Sequence, residues 1–189
     1  IFSYNYNHDN AFFHSESGNS DNGTWMSVAT YSSGSYNGSV STNSYNGEWL
    51  QLNFGKKVKV YSYGIRSQIK GSNLFHRSPG GYKLFGSNDG SSWTDVHTGS
   101  ATSSDYSSDY NKTKNNTLST PVTYQYFRLV INSTSGSTVL TAIAYLGFHG
   151  TFEEPDLVKG AISVNSVQSV DTSNHHVNCG ATWRRWGVA

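Results

Sequence analysis

Three stretches decide the fold: G-E-W-L-Q-L-N-F-G at Gly47–Gly55, Y-K-L-F-G-S-N-D-G-S-S-W at Tyr82–Trp93 and Y-F-R-L-V-I at Tyr126–Ile131. Each alternates apolar and polar residues at a period of two and ends in Gly, Asn or Asp turn chemistry, the pattern of half-buried antiparallel strands. Asn88, Asp89 and Gly90 supply the backbone freedom that a tight hairpin turn needs. Working outward, further strands are expected at Trp25–Ala29, Trp49–Phe54, Val58–Gln68, Gly81–Ser87, Trp93–His97, Thr117–Val122, Tyr126–Asn132 and Ala142–His149. Helical periodicity is nowhere sustained for about ten residues. The chain therefore reads as all-β, a jelly-roll-like sandwich of two antiparallel sheets.

Residues 13–46 are mostly Ser, Gly, Asn and Tyr, a long stretch of weak periodicity expected to be functional loop or disorder. The end of the chain has another character. F-E-E-P-D-L at Phe152–Leu157 reads as a linker, A-I-S-V-N-S-V-Q-S-V at Ala161–Val170 alternates as a strand would, and W-R-R-W precedes the C-terminus. A lone amphipathic strand needs a partner. The expected organisation is a sandwich over 1–150 and an extension over 151–189 that packs on the sandwich or docks on another subunit.

Only 13% of the 189 residues are charged and the net charge is +1. Nucleic-acid binding rests on clustered Lys and Arg, so this balance argues against it. No apolar run approaches the roughly 20 residues that a membrane helix requires, and membrane insertion is not expected. Abundant Ser, Thr, Asn and 13 Tyr suit an extracellular, cell-surface or virion-surface module. Cys179 is the sole cysteine, which excludes an internal disulfide. The chain begins at Ile1 and its one methionine is Met26, which leads to the expectation of a processed chain or a module of a larger protein. Five N-x-S/T sequons, at Asn22, Asn37, Asn111, Asn115 and Asn132, are no more than so Asn- and Ser-rich a composition produces by chance.

Enzyme motifs are missing. There is no G-x-S-x-G elbow, no H-E-x-x-H, no Gly-rich phosphate loop and no Cys nucleophile beside a general base. His175, His176 and Cys179 lack a fourth ligand at a zinc-site spacing and read as a solvated tail.

Taken in order, N-A-F at Asn10–Phe12, G-T-W at Gly23–Trp25, the Gly47–Gly55 strand, G-I-R at Gly64–Arg66, S-N-D-G-S-S-W at Ser87–Trp93, Y-F-R-L at Tyr126–Leu129 and A-Y-L-G-F-H-G at Ala144–Gly150 resemble the motifs of the F5/8 type C (discoidin-like) family. That family includes many galactose-binding-like carbohydrate-binding modules. The resemblance implies a non-catalytic, lectin-like module whose loops at one end of the sandwich hold a glycan. It also implies a structural calcium in many members, held by an Asp after the opening motif and a Glu in the closing strand. Here Phe13 and His14, and Ala144 and Tyr145, stand at those places. Two hard oxygen ligands are thereby removed, with Asp21 or Glu16 as substitutes from the long loop, and no cofactor is expected with certainty.

A sugar site needs a ring face for the C–H side of the sugar and planar donors and acceptors for its hydroxyls. The Lys70–Pro79 segment offers both: Phe75 to stack, His76 to donate or accept, and Arg77 to give paired donors, with Lys70 and Asn73 beside them. In the bland alternative Phe75 tucks into the core. The early loop adds His14, Glu16, Tyr31, Tyr36 and Tyr45, and the turn after the late strand adds Asn132 and Ser133. Trp25, Trp49 and Trp93 are expected as core or hairpin anchors, and Arg128 as a structural charge paired within the sandwich.

Overall fold

Gly55, with φ of 73°, marks the corner at which the longest paired strands bend. The computed structural model describes residues 24–67, 74–106 and 112–152. In chain order the strands are β1 (Trp25–Met26), β2 (Tyr31–Ser32), β3 (Ser35–Tyr36), β4 (Ser41–Thr42), β5 (Tyr45–Asn46), β6 (Glu48–Arg66), β7 (Pro79–Ser87), β8 (Thr94–Ser100), β9 (Thr113–Thr134), β10 (Ala142–Ile143) and β11 (Tyr145–Phe152). A 3₁₀ turn at Leu74–Arg77 and a single helical turn, α1, at Ser103–Tyr106 join them.

The sequence reading broke β6 and β9 into two strands each. Both instead run unbroken, for 19 and 22 residues, as one antiparallel ribbon with register shifts between Asn53 and Val58 and between Val60 and Ser62. Turn-like residues inside such a strand read as a boundary, whereas a bulge bends a strand without ending its pairing. The Asn53 side chain accepts the Gly55 amide at 2.8 Å and fixes the bend.

Bending the ribbon makes the two layers. The first half of β6 pairs Glu48–Asn53 with Tyr126–Ile131, and β7 and β8 continue that sheet. Its second half pairs Val58–Arg66 with Thr113–Tyr124 on one side and with β11 on the other. Alternation puts Leu50, Leu129, Ile131, Tyr82 and Leu84 of one layer and Val60, Tyr63, Ile65, Leu118 and Leu146 of the other into a single core. Phe127 meets Phe148 across it with ring centroids 5.2 Å apart. Tyr82 Oη donates across it to Asn116 Oδ1 at 2.9 Å. The protein is thus the all-β sandwich that the alternation predicted.

Within the Ser- and Gly-rich stretch the structure forms two tight hairpins, β2–β3 and β4–β5. Positive φ at Ser33 and Gly34 and at Asn43 and Ser44 closes them, a geometry suited to two-residue hairpin turns. Expectations for residues 1–23, for Lys70 and Asn73, and for the extension from 153 onward lie outside the described residues.

Candidate functional site

Folding the ribbon in half brings both of its ends, Glu48 with Ile131 and Arg66 with Thr113, to the end of the sandwich away from the Gly55 corner. Two connections close over that end: the 3₁₀ turn before β7 and the loop from Ser135 to Thr141 after β9. Hydrogen bonds lace them together. Ser135 N donates to Ser78 O at 2.7 Å, Gly136 N to His76 O at 3.0 Å, and Ser135 Oγ to Phe75 O at 2.8 Å. Thr141 Oγ1 donates to Arg77 O at 2.9 Å. The β2–β3 turn joins in, with Gly34 N donating to Thr138 O at 3.0 Å. Backbone geometry at this end is therefore set by several strands at once.

Between these connections lies an open hollow of about 450 Å³ lined by Leu74, His76, Arg77, Ser137 and Thr138. His76 is seated directly over Gly136: a Cβ built there would come within 2.6 Å of His76 Nδ1. Arg77 Nη1 points to the sulfur of Met26 at 4.0 Å and has no carboxylate partner among the described residues. Arg77, His76, Ser137 and Thr138 surround a shallow space that has one aliphatic wall, Leu74, with the Thr138 hydroxyl donating to Leu140 O at 2.8 Å. Such a set can donate to and accept from several neutral hydroxyls at once.

The sequence candidates divide on inspection. His76 and Arg77 line the hollow. Phe75 is half-buried and packs against the core, the bland alternative for it, although its ring also tilts against His76 at 4.4 Å between centroids. Tyr36 stands edge-on to Tyr31 at 5.5 Å and its hydroxyl accepts the Val40 amide at 3.1 Å. Partial burial raises its pKa. Asn132 donates to Asn46 O at 2.8 Å and binds β9 to β5. Tyr36 and Asn132 thus hold the framework beside the hollow and do not line it.

Sequence reading missed Ser137 and Thr138, because nothing in S-T-S-G-S-T distinguishes one hydroxyl from the next. It gave Arg66 a place in a motif but no role in the site. Arg66 is 7% exposed, lies 5.5 Å from the Tyr145 ring, and its Nε has no hydrogen-bond partner among the described residues. Trp25 Nε1 and Ser78 Oγ, toward the same end, are also buried without one.

Ala144 and Tyr145 offer no carboxylate, and among the described residues no three His, Cys, Asp or Glu side chains converge. Among these residues, too, no helix is long and apolar enough to cross a membrane.

Residues 14–144 match the F5/8 type C domain, and the chain belongs to that family. It is a family of binding modules and not of enzymes. Solved structures share the fold. The family 32 CBM of Clostridium perfringens NanJ, in complex with galactose, is 17% identical with a TM-score of 0.53, covering 80% of this chain and 88% of that one. CBM32-3 from a family 31 glycoside hydrolase of Clostridium perfringens is 15% identical with a TM-score of 0.53, covering 79% and 85%. The CBM32 of AlyQ, in complex with 4,5-unsaturated mannuronic acid, is 15% identical with a TM-score of 0.53, covering 79% and 89%. No curated protein sequence matches the chain.

Proposed function

We propose that the chain is a lectin-like carbohydrate-binding module that recognises a cell-surface glycan through the hollow at the open end of its sandwich. One observation carries the reading: Arg77 and His76 share the hollow with Ser137 and Thr138, and among the described residues the guanidinium has no carboxylate partner. Planar donors beside hydroxyls suit the vicinal diols of a sugar, and Leu74 offers the apolar contact that Phe75 does not. The neighbours that share the fold are carbohydrate-binding modules, one of them with galactose, which supports the same reading.

The composition supports an extracellular setting, at a cell or virion surface, within a larger surface, fibre or virion protein. A single shallow site binds weakly, so attachment would draw on several copies held together. The test is a glycan array probed with the chain in multivalent form, beside the Arg77→Ala variant. Competable binding that the variant loses supports the module. A blank array overturns it and turns attention to assembly through residues 151–189, read by whether deleting them changes the oligomeric state.

A further inference from the structure

The net charge of +1 hides an uneven distribution. Residues 24–152 hold ten Lys and Arg against five Asp and Glu. Three of the ten, Lys56, Lys57 and Lys59, fall within four positions of β6, at the Gly55 corner and so at the opposite end from the hollow. All three are exposed. The ion pairs among the described residues are Lys83 with Asp95 and Lys114 with Asp105, so within that set these three have no carboxylate partner.

Strand lysines commonly protect a sheet edge from pairing with another chain. That account fails for Lys59, which lies opposite Thr123 on β9 and Thr151 on β11, inside the sheet. Two of the ammonium groups lie over ring faces: Lys56 Nζ is 4.3 Å from the Phe152 centroid and Lys59 Nζ is 5.9 Å from that of Tyr61. Both rings are themselves exposed, at 51% and 41%. A ring face attracts a cation without neutralising it, so the positive charge stays available to an outside anion. Among the described residues, Asp89 follows Asn88, whose Oδ1 accepts the Gln125 amide beside the corner. Its carboxylate is already engaged by the Ser91 and Ser92 amides and by Ser87.

We infer that this corner is a second binding surface, for an anionic polysaccharide whose sugars carry carboxylate or sulfate groups. The exposed ammonium groups of Lys56, Lys57 and Lys59 meet the anions, and the Tyr61 and Phe152 rings meet the C–H faces between them. A lipid surface fits less well, because the exposed apolar groups here are two rings with no aliphatic anchor. Nucleic acid fits less well because three cations make few phosphate contacts. The inference does not depend on what the hollow binds.

The test uses the full chain in affinity electrophoresis through gels containing polygalacturonate, dextran sulfate or neutral dextran, at low and at raised salt. Both polyanions are expected to retard the protein at low salt, raised salt to release it, and neutral dextran to have no effect. The combined Lys56→Gln, Lys57→Gln and Lys59→Gln variant is expected to bind about tenfold more weakly, three exposed ion contacts being lost together. Arg77→Ala should bind the polyanions as the parent does, so a failure of the hollow reading is seen separately. An unchanged melting temperature establishes that the lysine variant is folded. No retardation by either polyanion, equal retardation of the lysine variant, or equal affinity for duplex DNA would each overturn the inference. The sequence after Phe152 is acidic, with Glu153, Glu154 and Asp156. Binding that appears only in a Glu153→Gln, Glu154→Gln variant would therefore overturn it as well.

Discussion

The guanidinium of Arg128 lies between two indoles, 4.2 Å from the Trp49 ring centroid and 4.0 Å from that of Trp93. Its Nε and Nη2 donate to Gln51 Oε1 at 3.1 and 2.7 Å, and Nη1 donates to Thr42 Oγ1 at 3.0 Å. One side chain on β9 thereby ties together β6, the β4–β5 hairpin and the residue that leads into β8. The sequence suggested a structural charge paired within the sandwich. The pairing is instead with neutral oxygens and aromatic faces, and Trp49, expected as a core or hairpin anchor, is 38% exposed as one half of this clamp. Desolvation lowers the guanidinium pKa from its usual value without discharging it.

Arg128→Lys keeps the charge and loses the flat fork that fills the space between the rings. Cation–π contacts and charged hydrogen bonds of this kind together suggest a loss of about 1–3 kcal/mol of stability. Urea unfolding of the two proteins measures it. A variant as stable as the parent would show that the stacking contributes nothing.

Gly136→Ala is expected to displace His76. The new Cβ would approach Nδ1, Cβ and Cγ of that ring at 2.6 to 2.8 Å, and the backbone bond from Gly136 N to His76 O leaves the two segments no room to separate. Crowding of this type costs about 1–3 kcal/mol. Glycan affinity should fall along with the melting temperature, whereas Arg77→Ala should lower affinity alone.

Stability should fall as the solution is made mildly acid, because of His97. Its Nδ1 is 2.8 Å from Tyr63 Oη, and desolvation lowers its pKa. The unfolded chain takes up the proton first, at about pH 6.5, so this contribution is whole above that pH and is lost as pH falls through the lower folded value. Urea midpoints between about pH 7 and about pH 5 should decline in the parent and lose that part of the slope in His97→Gln. Identical slopes would remove His97 from the account.

A second acid-sensitive step belongs to Asp105. Its hydrogen bond from Lys114, at 2.9 Å, and the Thr102 amide, at 2.8 Å, hold the carboxyl down at about 2. The unfolded value is about 3.9, so the contribution is whole above that pH and disappears as pH falls toward the folded value. Asp105→Asn should flatten the stability profile in that window and leave the His97 window unchanged.

The strands were legible because burial on one face writes itself into alternation: Leu50, Leu129 and Ile131 fall inward where the pattern placed them. Strand boundaries at Phe54–Lys57 and at Thr123–Gln125 were not, since a bulged bend and a strand end use the same turn-forming residues. Arg77 and His76, which line the hollow, drew notice in the sequence because a guanidinium and an imidazole in one short connection stand out against a neutral chain. Lys56, Lys57 and Lys59 were just as visible in the sequence, but an argument from net charge averaged them away.

By itself the sequence determined the all-β class, the family and the segment that carries the hollow, because these follow from local patterning and from motif order. Only the tertiary structure decided which residues share a surface. Phe75 turns to the core while its neighbours stay in the hollow, Ser137 and Thr138 arrive from 60 residues along the chain, and Arg128 meets Trp49 and Trp93 across three strands. Such meetings depend on the bend of the β6–β9 ribbon, which places distant positions together, and a local pattern in the sequence does not record it.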